Sequence, residues 1–228
     1  VDANIEPVVT LFHWDFPQAL EDRYGGWLDK QSVEDFVNYA DTCFLLFGDR
    51  VRYWLTFNEP LSFINLGYQS GGNAPGRCSD RARCSAGNST TEPWIAGHNV
   101  LLSHAHAVNL YRNKYARDAG QIGITLNSDW AEPYSDDPLD VAAAQRHMDF
   151  MLGWFADPVY FGDYPQSLRD RVGKFLPEFT AAEQQLLKGS SDFFGLNHYT
   201  SRWVANLANP NPLDFEATNQ TAWRNGVV

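Results

Sequence analysis

Four short runs rich in β-branched and aromatic residues recur along this chain, separated by stretches whose apolar residues keep helical spacing. The runs are Glu6 to Phe12, Val51 to Phe57, Gln121 to Asn127 and Asp192 to Asn197. Continuous apolarity over so few residues predicts strands buried on both faces, as in a parallel sheet. Between the first two runs, Ser32 is placed to cap a helix that carries Val33, Phe36, Val37, Ala40, Phe44 and Phe47 on one side and stops at Gly48. A long loop is expected after Pro60, where proline ends the ladder of the second strand. Pro93 then falls in the first turn of a helix with Leu101, Ala105, Val108 and Tyr111 along one side, and Gly120 precedes the third strand. Pro138 opens another helix through about Gly153, and a loop-rich stretch with Pro158, Pro165 and Pro177 leads through a short helix to the fourth strand. No tight-turn pair joins neighbouring strands, so right-handed helical crossovers and an α/β class follow. The absence of Gly-x-Gly-x-x-Gly or Gly-Lys-Ser/Thr after any strand removes the usual nucleotide signals of open sheets and favours a barrel.

The 228 residues, 44% hydrophobic, suffice for a sizeable core. Seventeen basic against 28 acidic residues leave a net charge of -11 spread along the chain, which argues against nucleic acid or an anionic membrane as partner and suits a neutral substrate. No apolar run approaches the ~18 residues of a membrane span. Val1 to Pro7 lacks the zones of a signal peptide, so any targeting segment is expected upstream. The stretch Asn206 to Gln220 reads as polar and irregular.

In parallel α/β folds the reacting groups collect where strands end, and the exits here are polar. They read His13-Trp14-Asp15, Asn58-Glu59, Asn127-Ser-Asp-Trp130 and Asn197-His198-Tyr199. Amides, imidazole, a carboxylate and indoles on one rim match a sugar, which needs forked hydrogen bonds to hydroxyls and a flat surface for its C–H faces. Glu59 follows a run that would bury it among Trp54, Leu55 and Phe57, a setting that favours the protonated, general-acid form. Two structural readings compete: a turn cap, or an ion pair with Arg52. For His13 the competitor is an imidazole bonded to backbone, and for Trp14, Trp54 and Trp130 it is plain packing.

His104 and His106 point to different helix faces with no third ligand at metal spacing, so no metal or other cofactor is expected. No Gly-x-Ser-x-Gly elbow supports a serine nucleophile. Cys43 reads as a buried free thiol, whereas Cys78 and Cys84 share a Gly-, Ser- and Arg-rich loop either as a disulfide or as two free thiols. Asn88 and Asn219 each begin an Asn-x-Ser/Thr sequon, which permits glycosylation in a secreted chain.

Taken in order, Thr10-Leu-Phe-His-Trp-Asp-Phe-Pro17, Tyr24-Gly-Gly-Trp27, Thr56-Phe-Asn-Glu-Pro60 and Asn197-His-Tyr-Thr-Ser201 resemble glycoside hydrolase family 1 along the whole chain. Ala74-Pro-Gly-Arg-Cys78 through Asn88, and Trp154 through Pro165, look like its plant β-glucosidase branch. The resemblance implies a (β/α)8 TIM barrel of which residues 1–228 supply about the middle four units, strands 3 to 6. It implies a retaining β-glycosidase that hydrolyses β-D-glucosides, with Glu59 as general acid/base and Asn58 on the sugar's 2-hydroxyl. His13 and Trp14 would line the glycone pocket, Asn197 and Tyr199 match the pattern whose tyrosine bonds the nucleophile, and Leu66, Asn127 and Trp130 fall on the aglycone side. In plant members the matching cysteines are paired, so Cys78–Cys84 is expected as a disulfide and a secretory route, extracellular or vacuolar, as the address.

The same resemblance places the first two strands before Val1 and the nucleophile, in a Thr-Glu-Asn-Gly context, after Val228. The nearest look-alike within the chain, Arg224-Asn-Gly226, lacks the carboxylate. Residues 1–228 alone are therefore expected to be inactive and poorly stable, with two unpaired sheet edges. Two alternatives share the motifs: a transglucosidase using the same carboxylates, and a catalytically silent sugar-binding relative.

Overall fold

The computed structural model describes residues 3–116, 120–211 and 214–224. In chain order the strands are β1 (Val8–Phe12), β2 (Tyr53–Asn58), β3 (Gln121–Asn127), β4 (Trp130–Pro133), β5 (Gly195–Asn197), β6 (Ser201–Asn206) and β7 (Thr218–Thr221). The α-helices are α1 (Gln18–Tyr24), α2 (Gln31–Phe47), α3 (Pro60–Ile64), α4 (Glu92–Leu110), α5 (Pro138–Met148), α6 (Trp154–Phe161), α7 (Gln166–Val172) and α8 (Ala181–Leu187).

The four predicted strands form one parallel sheet in the order β1-β2-β3-β5, with helices in every connection. Apolar runs two layers deep in side chains explain the arrangement. Phe44 of α2 meets Trp54 of β2 edge-on at 5.0 Å, and Phe36 stacks on Phe57 at 4.4 Å. Trp54, Phe57, Ile122 and Ala40 are fully buried, each large side chain contributing roughly 1.5–3 kcal/mol by leaving water. His104 of α4 enters this core as a bonded imidazole: its Nδ1 lies 2.7 Å from Thr56 Oγ1 and its Nε2 3.1 Å from Ser190 Oγ. The sheet's outer strands keep exposed apolar residues, Val8 on β1 and Leu196 on β5.

Several boundaries differ from the sequence expectations. Ser32 does not cap α2. The N-cap is Lys30, the Ser32 hydroxyl donates to Asp29 O at 2.6 Å, and Asp29 Oδ1 accepts the Gln31 N–H at 2.8 Å, so the aspartate does the capping work from further upstream. The long loop expected after Pro60 starts later: α3 begins at that proline and runs into a π-helical turn, Asn65–Gln69, and the irregular stretch fills residues 70–91 up to α4. Proline's preset φ suits a first helical residue, and ending a strand and starting a helix are compatible uses of it. The helix from Pro138 passes through a π-helical turn at Asp149–Gly153 and resumes as α6, with Pro158 inside it. The turn resets the hydrogen-bond ladder just before the residue that lacks an N–H.

A second, three-stranded sheet was not visible in the sequence. β4 pairs parallel with β6, and β6 pairs antiparallel with β7. It prolongs β3 and β5 beyond their ends, with Ser128 N donating to Asn197 O at 3.2 Å and Trp130 N to Thr200 O at 3.0 Å. Its hairpin escapes a turn-based reading because the link is long and polar and is held by Arg146, which donates to Glu216 O at 2.5 Å and Ala217 O at 3.0 Å. Of the Arg224-Asn-Gly226 look-alike, Asn225 and Gly226 lie outside the described residues.

Candidate active site

A register shift between Leu55 and Asn58, where β2 gains a residue over β3, sets the orientation of the second strand's exit. Past it, the Glu59 N–H still joins the ladder, donating to Thr125 O at 2.8 Å, before the backbone turns left-handed at φ 51°. Trp14, at the exit of β1, is left-handed too at φ 79°. Such conformations cost a non-glycine residue about 1 kcal/mol or more, and tertiary contacts hold them in place. For Trp14 the contact is its indole N–H, which donates to Asn58 O at 2.9 Å.

Glu59 is buried, 7% exposed, and both carboxylate oxygens are engaged. Asn197 Nδ2 donates to Oε1 at 2.6 Å, and the Tyr199 hydroxyl lies 3.4 Å from the same oxygen. Ser62, one turn into α3, donates its hydroxyl to Oε2 at 2.9 Å. Asn197 Nδ2 also reaches Asn58 Oδ1 at 3.2 Å, which fixes the orientation of both amides, since a flipped Asn197 would oppose oxygen to oxygen. Asn58 then presents Nδ2 to His13 Nε2 at 3.3 Å, and the imidazole accepts because the amide has only hydrogens to offer.

His13, Trp14, Asn58, Glu59, Asn197 and Tyr199 thus form one connected network drawn from three strand exits. Asn127 stands beside it, in register with Asn197, with its Oδ1 buried and unbonded. Leu66 and Trp130 are not joined to it: Leu66 is half-buried in the π-helical turn, and the exposed Trp130 donates its indole N–H to Glu132 at 2.9 Å. Ser62 was missed by sequence reasoning, although a hydroxyl three residues past a carboxylate and just after proline is a legible helical pairing. Among the described residues no group of three or more His, Cys, Asp or Glu side chains is placed to hold a metal ion.

Cys78 and Cys84 form a disulfide, while Cys43 is free and half-buried. Asn88 and Asn219 are both exposed.

The family model described as Glycosyl hydrolase family 1 matches residues 1–226. A furcatin hydrolase of Viburnum furcatum is 55% identical over 219 residues, covering 96% of this chain and 40% of that protein. A mutant rice β-glucosidase in a covalent complex with glucose superposes with a TM-score of 0.95 at 48% identity, over 99% of this chain and 49% of the other. A β-glucosidase of the fungus Humicola insolens in complex with glucose gives 0.95 at 45% identity, over 98% and 48%. Similarity therefore reaches plant and fungal enzymes alike, and the chain spans about half the length of the relatives it matches.

Proposed function

Because this chain belongs to glycosyl hydrolase family 1 and its sheet is part of that family's (β/α)8 barrel, we propose that the whole protein is a retaining β-glucosidase in which Glu59 is the general acid/base. The observation that carries the proposal is a buried carboxylate at a strand exit, gripped on Oε1 by Asn197 of a neighbouring exit, whose amide also bonds Asn58, which in turn reaches His13.

Retention needs a second carboxylate about 5–5.5 Å away. In this proposal residues 1–228 form the middle four β/α units, and the nucleophile belongs to the rest of the whole protein. In the first half-reaction that carboxylate bonds to the anomeric carbon while the Glu59 proton passes to the glycosidic oxygen. The C–O electron pair leaves with the aglycone as a neutral alcohol. In the second, Glu59 takes a proton from water as the water oxygen bonds to the anomeric carbon and the enzyme carboxylate departs. Asn58 and His13 orient sugar hydroxyls, Trp14 closes the glycone side, and Tyr199 shares its hydroxyl between Glu59 and the nucleophile. Leu66, Asn127 and Trp130 contact the aglycone.

The substrate is a small neutral β-glucoside, in keeping with the net charge of -11. The Cys78–Cys84 disulfide supports an oxidising, secretory route, on which Asn88 and Asn219 are glycan acceptors. No helix among the described residues is long and apolar enough to cross a membrane.

The test is Glu59→Gln in the whole protein. Turnover of alkyl β-glucosides should fall by roughly 10²–10⁴-fold, because proton donation is lost. Cleavage at the wild-type rate would refute the assignment. Residues 1–228 expressed alone should show no turnover.

A further inference from the structure

The carboxylate of Glu59 has two chemically different sides. Oε1 faces the Asn197 amide at 2.6 Å, much closer than the Tyr199 hydroxyl at 3.4 Å, and an amide N–H can donate but never accept. A proton on Oε1 would therefore confront another proton. Among the described residues Oε2 bonds the Ser62 hydroxyl alone, 2.9 Å away, and a hydroxyl rotates to donate or accept as required. From this asymmetry we infer that Oε2 is the oxygen that carries the acid/base proton, and that Ser62 is a positioning residue that holds it through both protonation states.

The inference rests on the acid/base role proposed for Glu59 and deepens it. Local structure keeps the Ser62 hydroxyl where it is. Glu59 is the N-cap of α3 and Ser62 lies on its first turn, its own N–H bonded to Glu59 O at 3.0 Å. Pro60, next in sequence after Glu59, is buried with its φ set by the ring. The serine therefore moves with the glutamate backbone and meets Oε2, while Oε1 is tied to Asn197 of β5, a strand on the far side of β3.

The consequence is directional. When the Oε2–H bond breaks, its electron pair stays on the carboxylate and the proton goes to the glycosidic oxygen, whose bond to the anomeric carbon breaks with the pair leaving on oxygen. Only then does the Ser62 O–H donate to a charged acceptor, and such bonds are roughly twice as strong as neutral ones. Stabilisation that grows with proton departure lowers the barrier of steps that need the proton. Steps that do not need it are untouched.

The experiment compares wild type, Ser62→Ala and Ser62→Thr of the whole protein on β-glucosides of graded leaving group, from methyl to 2,4-dinitrophenyl. With Ser62→Ala, kcat/KM for the methyl glucoside should fall about 10-fold, and for the dinitrophenyl glucoside by less than about 2-fold. Ser62→Thr, which keeps the hydroxyl, should stay within about 3-fold of wild type across the series. Equal losses along the series, no loss at all, or a threonine variant as impaired as alanine would overturn the inference. A wild-type protein that cleaves none of the substrates would overturn the underlying function instead, so the two failures are distinguishable.

Discussion

Asn197 Nδ2 lies 2.6 Å from Glu59 Oε1 across 138 residues of sequence. The contact joins the exit of β5 to that of β2 over the intervening β3, so it reports directly on the sheet order β1-β2-β3-β5. It also commits one carboxylate oxygen to a donor.

That commitment predicts the effect of reversing the donor. Asn197→Asp would set two carboxylates within hydrogen-bond distance, where like charges disfavour each other's ionised form. For the whole protein we expect kcat/KM on a β-glucoside to drop about 100-fold, with Asn197→Ala less impaired. Steady-state kinetics of both variants checks this, and an aspartate variant as active as wild type would contradict the contact.

Two buried histidines predict how stability responds to acid. Burial pulls His104 down to about 3 and His98, which stacks on Phe179 and meets the Tyr164 hydroxyl at 3.0 Å, down to about 4. Both are depressed, so between about pH 6.5, where unfolded imidazoles titrate, and about pH 4 the unfolded chain binds more protons than the folded one. Their contribution is complete above about pH 6.5 and is lost as pH falls toward 4. Denaturant midpoints measured at pH 7 and pH 5 should decline, and His98→Gln should make the decline shallower by up to one proton. An unchanged slope in that variant would show that His98 takes up its proton in the fold.

The Cys78–Cys84 loop predicts a local effect. Arg81 sits inside it, donating to Cys78 O and Gly87 O, each at 2.5 Å, and Gly71 runs so close that a Cβ there would stand 2.1 Å from Cys84 Sγ. Closing a ring of six residues' separation stabilises by about 2 kcal/mol in the chain-entropy model. Replacing both cysteines by serine should cost about that much, and trypsin should cut faster after the exposed Arg81 and Arg83. Unchanged cleavage would mean that the arginine contacts alone order the loop.

The strands were legible because each is a short run of apolar and aromatic residues, the central β2 and β3 being largely buried although β1 and β5 keep exposed residues, and their polar exits stood out against those runs. Gln121–Asn127 was placed to the residue, whereas the fourth strand begins at Gly195 rather than Asp192. Asp192 N still donates to Ile122 O at 2.9 Å, but the return bond from the Ile122 N–H goes to the Asp192 carboxylate at 2.8 Å, which also pairs with Arg112, so a side chain takes one half of the ladder there. The second sheet was hidden for the opposite reason. β7 is polar and earns its place by pairing with β6 and by the grip of Arg146 on the connecting chain, neither of which leaves a periodic trace.

By itself the sequence determined the α/β class, the four parallel strands, and which residue types stand at their ends, because burial and periodicity are written in consecutive residues. Tertiary structure alone decided which of those end residues meet. Only a folded sheet brings Asn197 and Tyr199 to one oxygen of Glu59, and only the helix that starts at Pro60 brings Ser62 to the other. A hydrogen bond depends on distance and angle between groups remote in the chain, and no local pattern encodes those.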